Sequence, residues 1–305
     1  MGNPQVSVLM PVYNGARYLR EAIDSILQQT FADFEFIIVL DPSDDNSKTI
    51  IESYTDPRII LVQNEVKLGL AVSLNHGLIM ARGEYVARMD ADDISLPERL
   101  ARQLDFMEKN PMIGVSGTSI KTIGNNPGIV ISHTSDPDMI RSFMLFQPHM
   151  THPTVIMRRS LIDQYHFTYD PAFFKAEDYK LWSIYSRSFP FSNLNEVLLL
   201  YRLHTENAQR LDFAEHQKFA GLVRLGELKQ LGIDVTDQEF ALHQALSILR
   251  FEPSIRFAAE CRQWLNKLEK ANQISRYYPE PAFCRSLQYL WIEVCRVCNV
   301  TNPEY

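Results

Sequence analysis

From Val6 to Thr122 the chain switches repeatedly between two hydrophobic periods, and this alternation narrows the fold more than any other feature. Val6–Met10 is a short apolar run ending at Pro11, as a buried strand would be. Leu19, Ala22, Ile23, Ile26 and Leu27 then recur at helical spacing. Phe34–Leu40 reads as a second buried strand, and Ser47 can cap a short helix to about Tyr54. Ile59–Val62 is a third strand, Leu70–Ala81 a helix and Tyr85–Met89 a fourth strand. Ser95-Leu-Pro-Glu98 has the pattern of a capping box with proline in the first turn, predicting a helix through Leu100, Leu104 and Met107. Strands and helices that alternate through short connections predict βαβ units and a mostly parallel sheet.

Beyond Thr122 the pattern loosens. Gly124-Asn-Asn-Pro-Gly128 is a turn-rich break. Thr154–Met157 and Val197–Leu203 read as strands and Glu177–Phe189 as a helix. From about Leu211 onward the pattern is helical. We therefore expect a domain over 1–210, with halves 1–122 and 123–210, and a helical region over 211–305. The 305 residues, 46% of them hydrophobic, suffice for a self-supporting core.

The net charge of −7 gives no footprint for general nucleic-acid binding. No apolar run is long enough to span a bilayer, and the first residues lack the pattern of a secretory signal. The expectation is a soluble cytoplasmic protein. Lysine and arginine nearly balance the acidic residues after Leu211, so the tail does not read as a polybasic anchor. Cys295 and Cys298 have CxxC spacing, but no second pair accompanies them, and they read as packed thiols on an apolar helix.

In parallel α/β sheets, ligands bind beyond the carboxyl ends of the strands. Pro11, Val12, Tyr13 and Asn14 follow the first strand, and Asp41, Ser43, Asp44 and Asp45 the second. Asp90, Ala91, Asp92 and Asp93 follow the fourth. Three carboxylates in four residues repel one another unless a cation or solvent relieves them. Continued strand geometry would point Asp90 and Asp92 the same way, suiting Mg²⁺ or Mn²⁺. A solvated acidic loop ahead of a helix is the simpler alternative.

The segments VSVLMPVYNGARYLREAIDSILQQTF, FEFIIVLDPSDDNS and ARGEYVARMDADDISLPERLARQLDFMEKNP resemble glycosyltransferase family 2, and the likeness extends over about the first 205 residues. That family has the GT-A fold, a Rossmann-like, mostly parallel central sheet flanked by helices. Here an α-helical C-terminal extension would follow it. The resemblance implies an inverting transferase that uses a nucleotide-sugar, here a UDP-sugar, with Mn²⁺ or Mg²⁺. It places Pro11, Val12 and Tyr13 against the base and Asp41 on uracil, with Asn75, Arg88 and Ala91 along the nucleotide-sugar. Asp90 and Asp92 match the DxD element at ribose and metal, and His204 a later histidine that reaches the metal or diphosphate. The chain departs from the family at Leu40, where an acidic residue is usual, and at Pro42, where glycine is usual.

On the acceptor side, FKAEDYKLW resembles the family's ED motif, which implies Asp178 as catalytic base with Glu177 beside it. Read from the residues alone, the same pair suits a helix start. Trp182 is either a platform for a sugar ring or core, and His152 either an acceptor-pocket residue or a structural histidine. The implied reaction moves a hexose or N-acetylhexosamine to a hydroxyl of a saccharide or lipid-linked saccharide. The alternatives are a catalytically degenerate nucleotide- or glycan-binding scaffold and a nucleotidyltransferase. The helical tail is open to closing over the acceptor, forming a homo-oligomer, or docking peripherally on the cytoplasmic face of a membrane.

Overall fold

The alternation becomes a single twisted sheet. The computed structural model describes residues 2–204 and 213–300. Among these, β1 (Val6–Val12), β2 (Phe34–Leu40), β3 (Ile59–Gln63) and β4 (Tyr85–Arg88) are parallel neighbours in the order β3-β2-β1-β4. Helices α1 (Leu19–Leu27), α2 (Ser47–Glu52) and α3 (Leu70–Met80) make the crossovers. The sheet buries both faces, so β2 is apolar at six of its seven positions rather than alternating. Its one polar residue, Glu35, accepts from Ser7 Oγ (2.7 Å) and Arg82.

Past β4 the sheet becomes mixed. β8 (Ile156–Arg158) pairs antiparallel with β4 and with β6 (Val115–Gly124), and β6 pairs parallel with β9 (Phe191–Leu203). β5 (Ile94–Ser95) closes one edge on β9, and β7 (Val130–Ile131) hangs from β6 across the Gly124–Gly128 turn. The predicted division at 122/123 falls inside β6, so both halves share this sheet. The division at 210/211 lies outside the described residues.

Two expectations need correction. Ser95 is not a helix cap. It lies in β5, where its N–H donates to Ser25 Oγ (3.1 Å) and its hydroxyl accepts from Gln29 Nε2 (3.1 Å). Pairing with β9 outcompetes the cap, so α4 (Arg99–Lys109) starts later without a side-chain cap. Nor does strand geometry persist to Asp90, because β4 ends at Arg88 and the acidic residues form a turn.

α5 (Pro137–Phe143), α6 (Arg159–Tyr165) and α7 (Glu177–Tyr185) flank the second half. The tail comprises α8 (Phe213–Gln230), α9 (Asp237–Ser247), α10 (Ile255–Ser275) and α11 (Ala282–Cys298). α8 inserts Ala220 and Val223 into the core that contains Trp182, while the later helices pack with Leu145 and Phe146. Cys295 and Cys298 are buried there as free thiols. No described helix is long and apolar enough to cross a membrane.

Candidate active site

Because β2, β1 and β4 are adjacent and parallel, their carboxyl ends lie side by side and gather the three polar clusters. The first two are laced together. Gly15 N–H donates to Ser47 Oγ (2.9 Å), Ala16 N–H to Asp45 Oδ2 (2.8 Å) and Asp44 N–H to Asn14 Oδ1 (2.9 Å). Asn14 takes a left-handed φ of 47°, which asparagine tolerates. Burial raises the pKa of Asp45, but hydrogen bonds from Ser47 and Ala16 outweigh it and hold the carboxyl below its usual range. Pro11 is half-buried at the end of β1, and Val12 packs inward at 2% exposure. Tyr13 is 44% exposed, with Lys67 Nζ 3.8 Å from its ring centre, so of the predicted base-contacting residues it offers an open aromatic face.

Asp41 sits deeper than Tyr13. It is 2% exposed, and Oδ1 accepts from Asn64 Nδ2 (2.6 Å) and Ser73 Oγ (3.2 Å). Oδ2 accepts from Gly69 N–H (2.8 Å). Its carboxylate organises the loop leading into α3 rather than facing open space. Asn75 is likewise committed: its amide donates to Tyr169 O (2.8 Å) and accepts from Tyr169 N–H (2.8 Å), stitching α3 to the segment before α7. Both residues give a carboxylate or amide to loop backbone, Asp41 to Gly69 and Asn75 to Tyr169, which buried backbone requires.

The third cluster has the geometry of a cation site. Ligand oxygens of Asp90, Asp92 and Asp93 lie within 4.8 Å of one another, with Ala91 half-buried among them. Asp90 pairs with Arg88, which is itself only 2% exposed. Asp93 Oδ1 accepts from Arg202 N–H (2.8 Å), while buried Oδ2 has no hydrogen-bond partner. Asp92 Oδ2 meets His204 Nε2 at 2.8 Å, which brings the predicted histidine to the acidic turn. Burial, then repulsion from Asp90 and Asp92, raises Asp93 well above the carboxylate range. Asp90 is also raised, by burial against the pull of Arg88. The orphaned oxygen and the mutual repulsion fit a hard divalent cation, which takes oxygen ligands and relieves this strain. Asp90, Asp92 and Asp93 would hold it.

Glu177 and Asp178 form the first turn of α7, as expected. Asp178 Oδ1 accepts from Tyr179 N–H (2.7 Å), and Glu177 is buried. Burial, then the neighbouring Asp178, pushes Glu177 up to about 7. Asp178 is raised by burial and drawn back by the Tyr179 N–H and by Arg88. The field of Arg88 thus reaches this pair as well as Asp90 and Asp93, and the charge on Asp90 acts on both Glu177 and Asp178. The acidic turn and the Glu-Asp pair are therefore within electrostatic reach of one another.

His152 Nε2 lies 2.9 Å from the Tyr169 hydroxyl, and burial, with Arg88, keeps the ring neutral by lowering its pKa well below 6.5. Trp182 is fully buried, edge-on to His152 and to Phe191, so its indole is core and presents no face to a sugar. Sequence reasoning missed Tyr169, Arg99 and Gln103. Arg99 Nη2 donates to Arg88 O (2.6 Å), Arg99 Nε to Gln103 Oε1 (3.0 Å), and Gln103 Nε2 to Thr154 O (2.8 Å). The available signal was two polar residues one turn apart on the buried face of α4.

Comparisons with known proteins identify the family and the fold. The sequence model of "Glycosyl transferase family 2" matches residues 7–166. An uncharacterized glycosyltransferase of Methanocaldococcus jannaschii is 36% identical over 211 residues, which are 67% of this chain and 72% of that protein. The Escherichia coli UDP-Glc:alpha-D-GlcNAc-diphosphoundecaprenol beta-1,3-glucosyltransferase WfgD is 32% identical over 58% of this chain and 68% of its own length. The crystal structure of S. aureus TarS 1–349 in complex with UDP-GlcNAc superposes with a TM-score of 0.58 at 20% identity, covering 96% of this chain and 89% of that one. With the parallel strand ends, the acidic turn and a sequence match over half the chain all in accord, the protein belongs to glycosyl transferase family 2 and has a GT-A fold with added C-terminal helices.

Proposed function

We propose that this glycosyltransferase moves a hexose or N-acetylhexosamine from a UDP-sugar to a hydroxyl of a saccharide or lipid-linked saccharide, with inversion at the anomeric carbon. The observation that carries this reading is the ion pair of buried Arg88 with Asp90 of the acidic turn, with the charge of Arg88 also felt at Glu177 and Asp178. A donor-binding group on one side and a proton acceptor on the other suit a single in-line displacement. Relatives lend support: WfgD is named for UDP-Glc, and TarS was crystallised with UDP-GlcNAc. We place the reaction on the cytoplasmic side, where nucleotide-sugars are made.

Asp178 accepts the proton of the attacking hydroxyl. Its raised pKa makes it a stronger base than an ordinary carboxylate, and the Tyr179 N–H and then Arg88 limit that rise. Glu177 shares charge with it, so the pair loses its protons in coupled steps. Tyr13 would lie against the base, and Asp90, Asp92 and Asp93 would hold Mn²⁺ or Mg²⁺. The bound cation supplies Lewis-acid stabilisation of the departing diphosphate.

The first test is calorimetry of UDP with Mn²⁺ and then with EDTA, on the wild type and Asp92→Ala. Metal-dependent binding that disappears in the variant is expected. Absence of UDP binding under every metal condition would count against a UDP-sugar donor. Asp178→Asn should then reduce UDP release in the presence of acceptor about 10²–10⁴-fold while leaving UDP affinity unchanged. Full activity in that variant would remove Asp178 as the base.

A further inference from the structure

The described surface of α8 sorts charge in a way the whole-chain total conceals. Its exposed residues are Phe213, Ala214, Lys218, Leu222, Leu225, Gly226, Lys229 and Gln230, with no carboxylate among them in a chain of net charge −7. Lys218, Leu222, Leu225 and Lys229 are spaced i, i+4, i+7 and i+11, one stripe about 16 Å long with a lysine at each end. Leu222 and Leu225 are 48% and 40% exposed although the opposite face already buries Val223 and Leu228. Neither lysine is ion-paired to a described residue. Glu215, at the margin, is held by Lys175 (3.4 Å). The stripe continues toward the catalytic pair: Lys218 lies over the Phe219 ring, and Phe219 meets Phe174 edge-on at 6.4 Å. Phe174 is 50% exposed and lies three residues before Glu177.

We propose that this face of α8 docks on an anionic lipid surface and brings exposed Phe174, just ahead of Glu177 and Asp178, toward it. Lysines flanking half-exposed leucines complement acidic headgroups above an acyl boundary, and the rest of this acidic protein is repelled by the same surface. Docking is independent of sugar transfer and can be read without it. α11 offers an internal comparison. Arg285, Tyr289, Ile292 and Arg296 repeat the spacing, but Asp136 engages Arg285 (3.1 Å) and Glu293 engages Arg296 (2.7 Å). That stripe lacks free cations and is not assigned to the membrane.

The full chain is sedimented with neutral phosphatidylcholine vesicles, and with vesicles in which about a third of the lipid is phosphatidylglycerol. Binding to the anionic vesicles alone is expected. Lys218→Glu/Lys229→Glu and Leu222→Asp/Leu225→Asp should each weaken it at least about tenfold, and Ile292→Asp should leave it unchanged. UDP affinity in solution should be unaltered in all of them, which separates docking from misfolding and from the sugar-transfer reading. Lack of binding to either vesicle, equal binding to both, or binding indifferent to the α8 variants would overturn the proposal. So would a vesicle-free dimer dissolved by Leu225→Asp, which would assign the face to a second copy of the chain.

Discussion

Asp178 shows how far a residue's chemistry was legible before its surroundings were known. Read from its residues alone the Glu-Asp pair suits a helix start, and only the family resemblance implies Asp178 as a base. Burial of Glu177, with Asp178 half-buried beside it, supports the proposal of a base, because a pair placed only to favour the helix would remain solvated. The pH dependence of kcat should expose this. Asp178 must be ionised to act, so the rate should fall as pH drops through the coupled pair, on a limb lying above the ordinary carboxylate range. Glu177→Gln removes a negative neighbour, stabilises ionised Asp178 and should shift that limb to lower pH. An unmoved limb would break the coupling. Asp41, Asn75 and Trp182 were legible only as residue types. The resemblance placed Asp41 and Asn75 on the nucleotide-sugar and left Trp182 open between platform and core; in the fold Asp41 bonds Gly69, Ser73 and Asn64, Asn75 bonds the Tyr169 backbone, and Trp182 lies in the core. A sequence shows that a polar group is present but not whether nearby backbone will claim it.

At the scale of elements, strands buried on both faces were the most legible, since continuous apolar runs such as Phe34–Leu40 leave little choice. β9 was read as Val197–Leu203 yet begins at Phe191, because Ser192, Asn193 and Asn195 broke the apolar signal. In the fold Ser192 Oγ donates to Ser135 O (2.7 Å), and Asn193 Nδ2 to Thr134 O (2.8 Å) and His149 O (2.9 Å), partners invisible in the sequence. Helix α3 shows a related close fit. A Cβ on Gly77 would lie 2.0 Å from Leu9 Cδ1, so the helix approaches β1 only because residue 77 has no side chain. Gly77→Ala should destabilise the protein by about 1–3 kcal/mol in chemical denaturation. Combined with Leu9→Ala, which makes room, it should cost less than the two single changes together. Strict additivity would show that this contact does not set the helix position.

At the scale of the whole molecule, the joint between sheet and tail is polar as well as apolar. Glu227 of α8, 1% exposed, receives Arg141 (3.2 Å), Arg187 and the Tyr278 hydroxyl (2.6 Å), uniting α5, the end of α7 and the tail. His243 of α9 completes the joint. Its Nε2–H donates to Leu145 O (3.0 Å), and Nδ1 accepts from Trp264 Nε1 (3.1 Å), which fixes a neutral ring. Burial lowers its pKa to about 3, whereas an exposed histidine titrates near 6.5. Above pH 6.5 the ring is neutral in both folded and unfolded chains and costs nothing. Below it only the unfolded chain gains the proton, so folding loses about 1.4 kcal/mol per pH unit at this residue. Glu177 has the opposite sign. Its pKa of about 7 exceeds the unfolded value of 4.5, so ionisation destabilises the fold above pH 7, and acidification toward 4.5 restores the loss. The two effects oppose each other between pH 7 and 5, and the wild-type profile alone would hide both. Variants separate them. His243→Gln can keep both hydrogen bonds without titrating, so its Tm relative to wild type should rise as pH falls from 7 to 5. Glu177→Gln should be more stable than wild type at pH 8 and lose that advantage by pH 5, as expected where a buried carboxylate is held at the expense of stability. Melting curves of the three proteins at matched pH give the answer, and difference slopes of the same sign would contradict the assigned burial of one of the two residues.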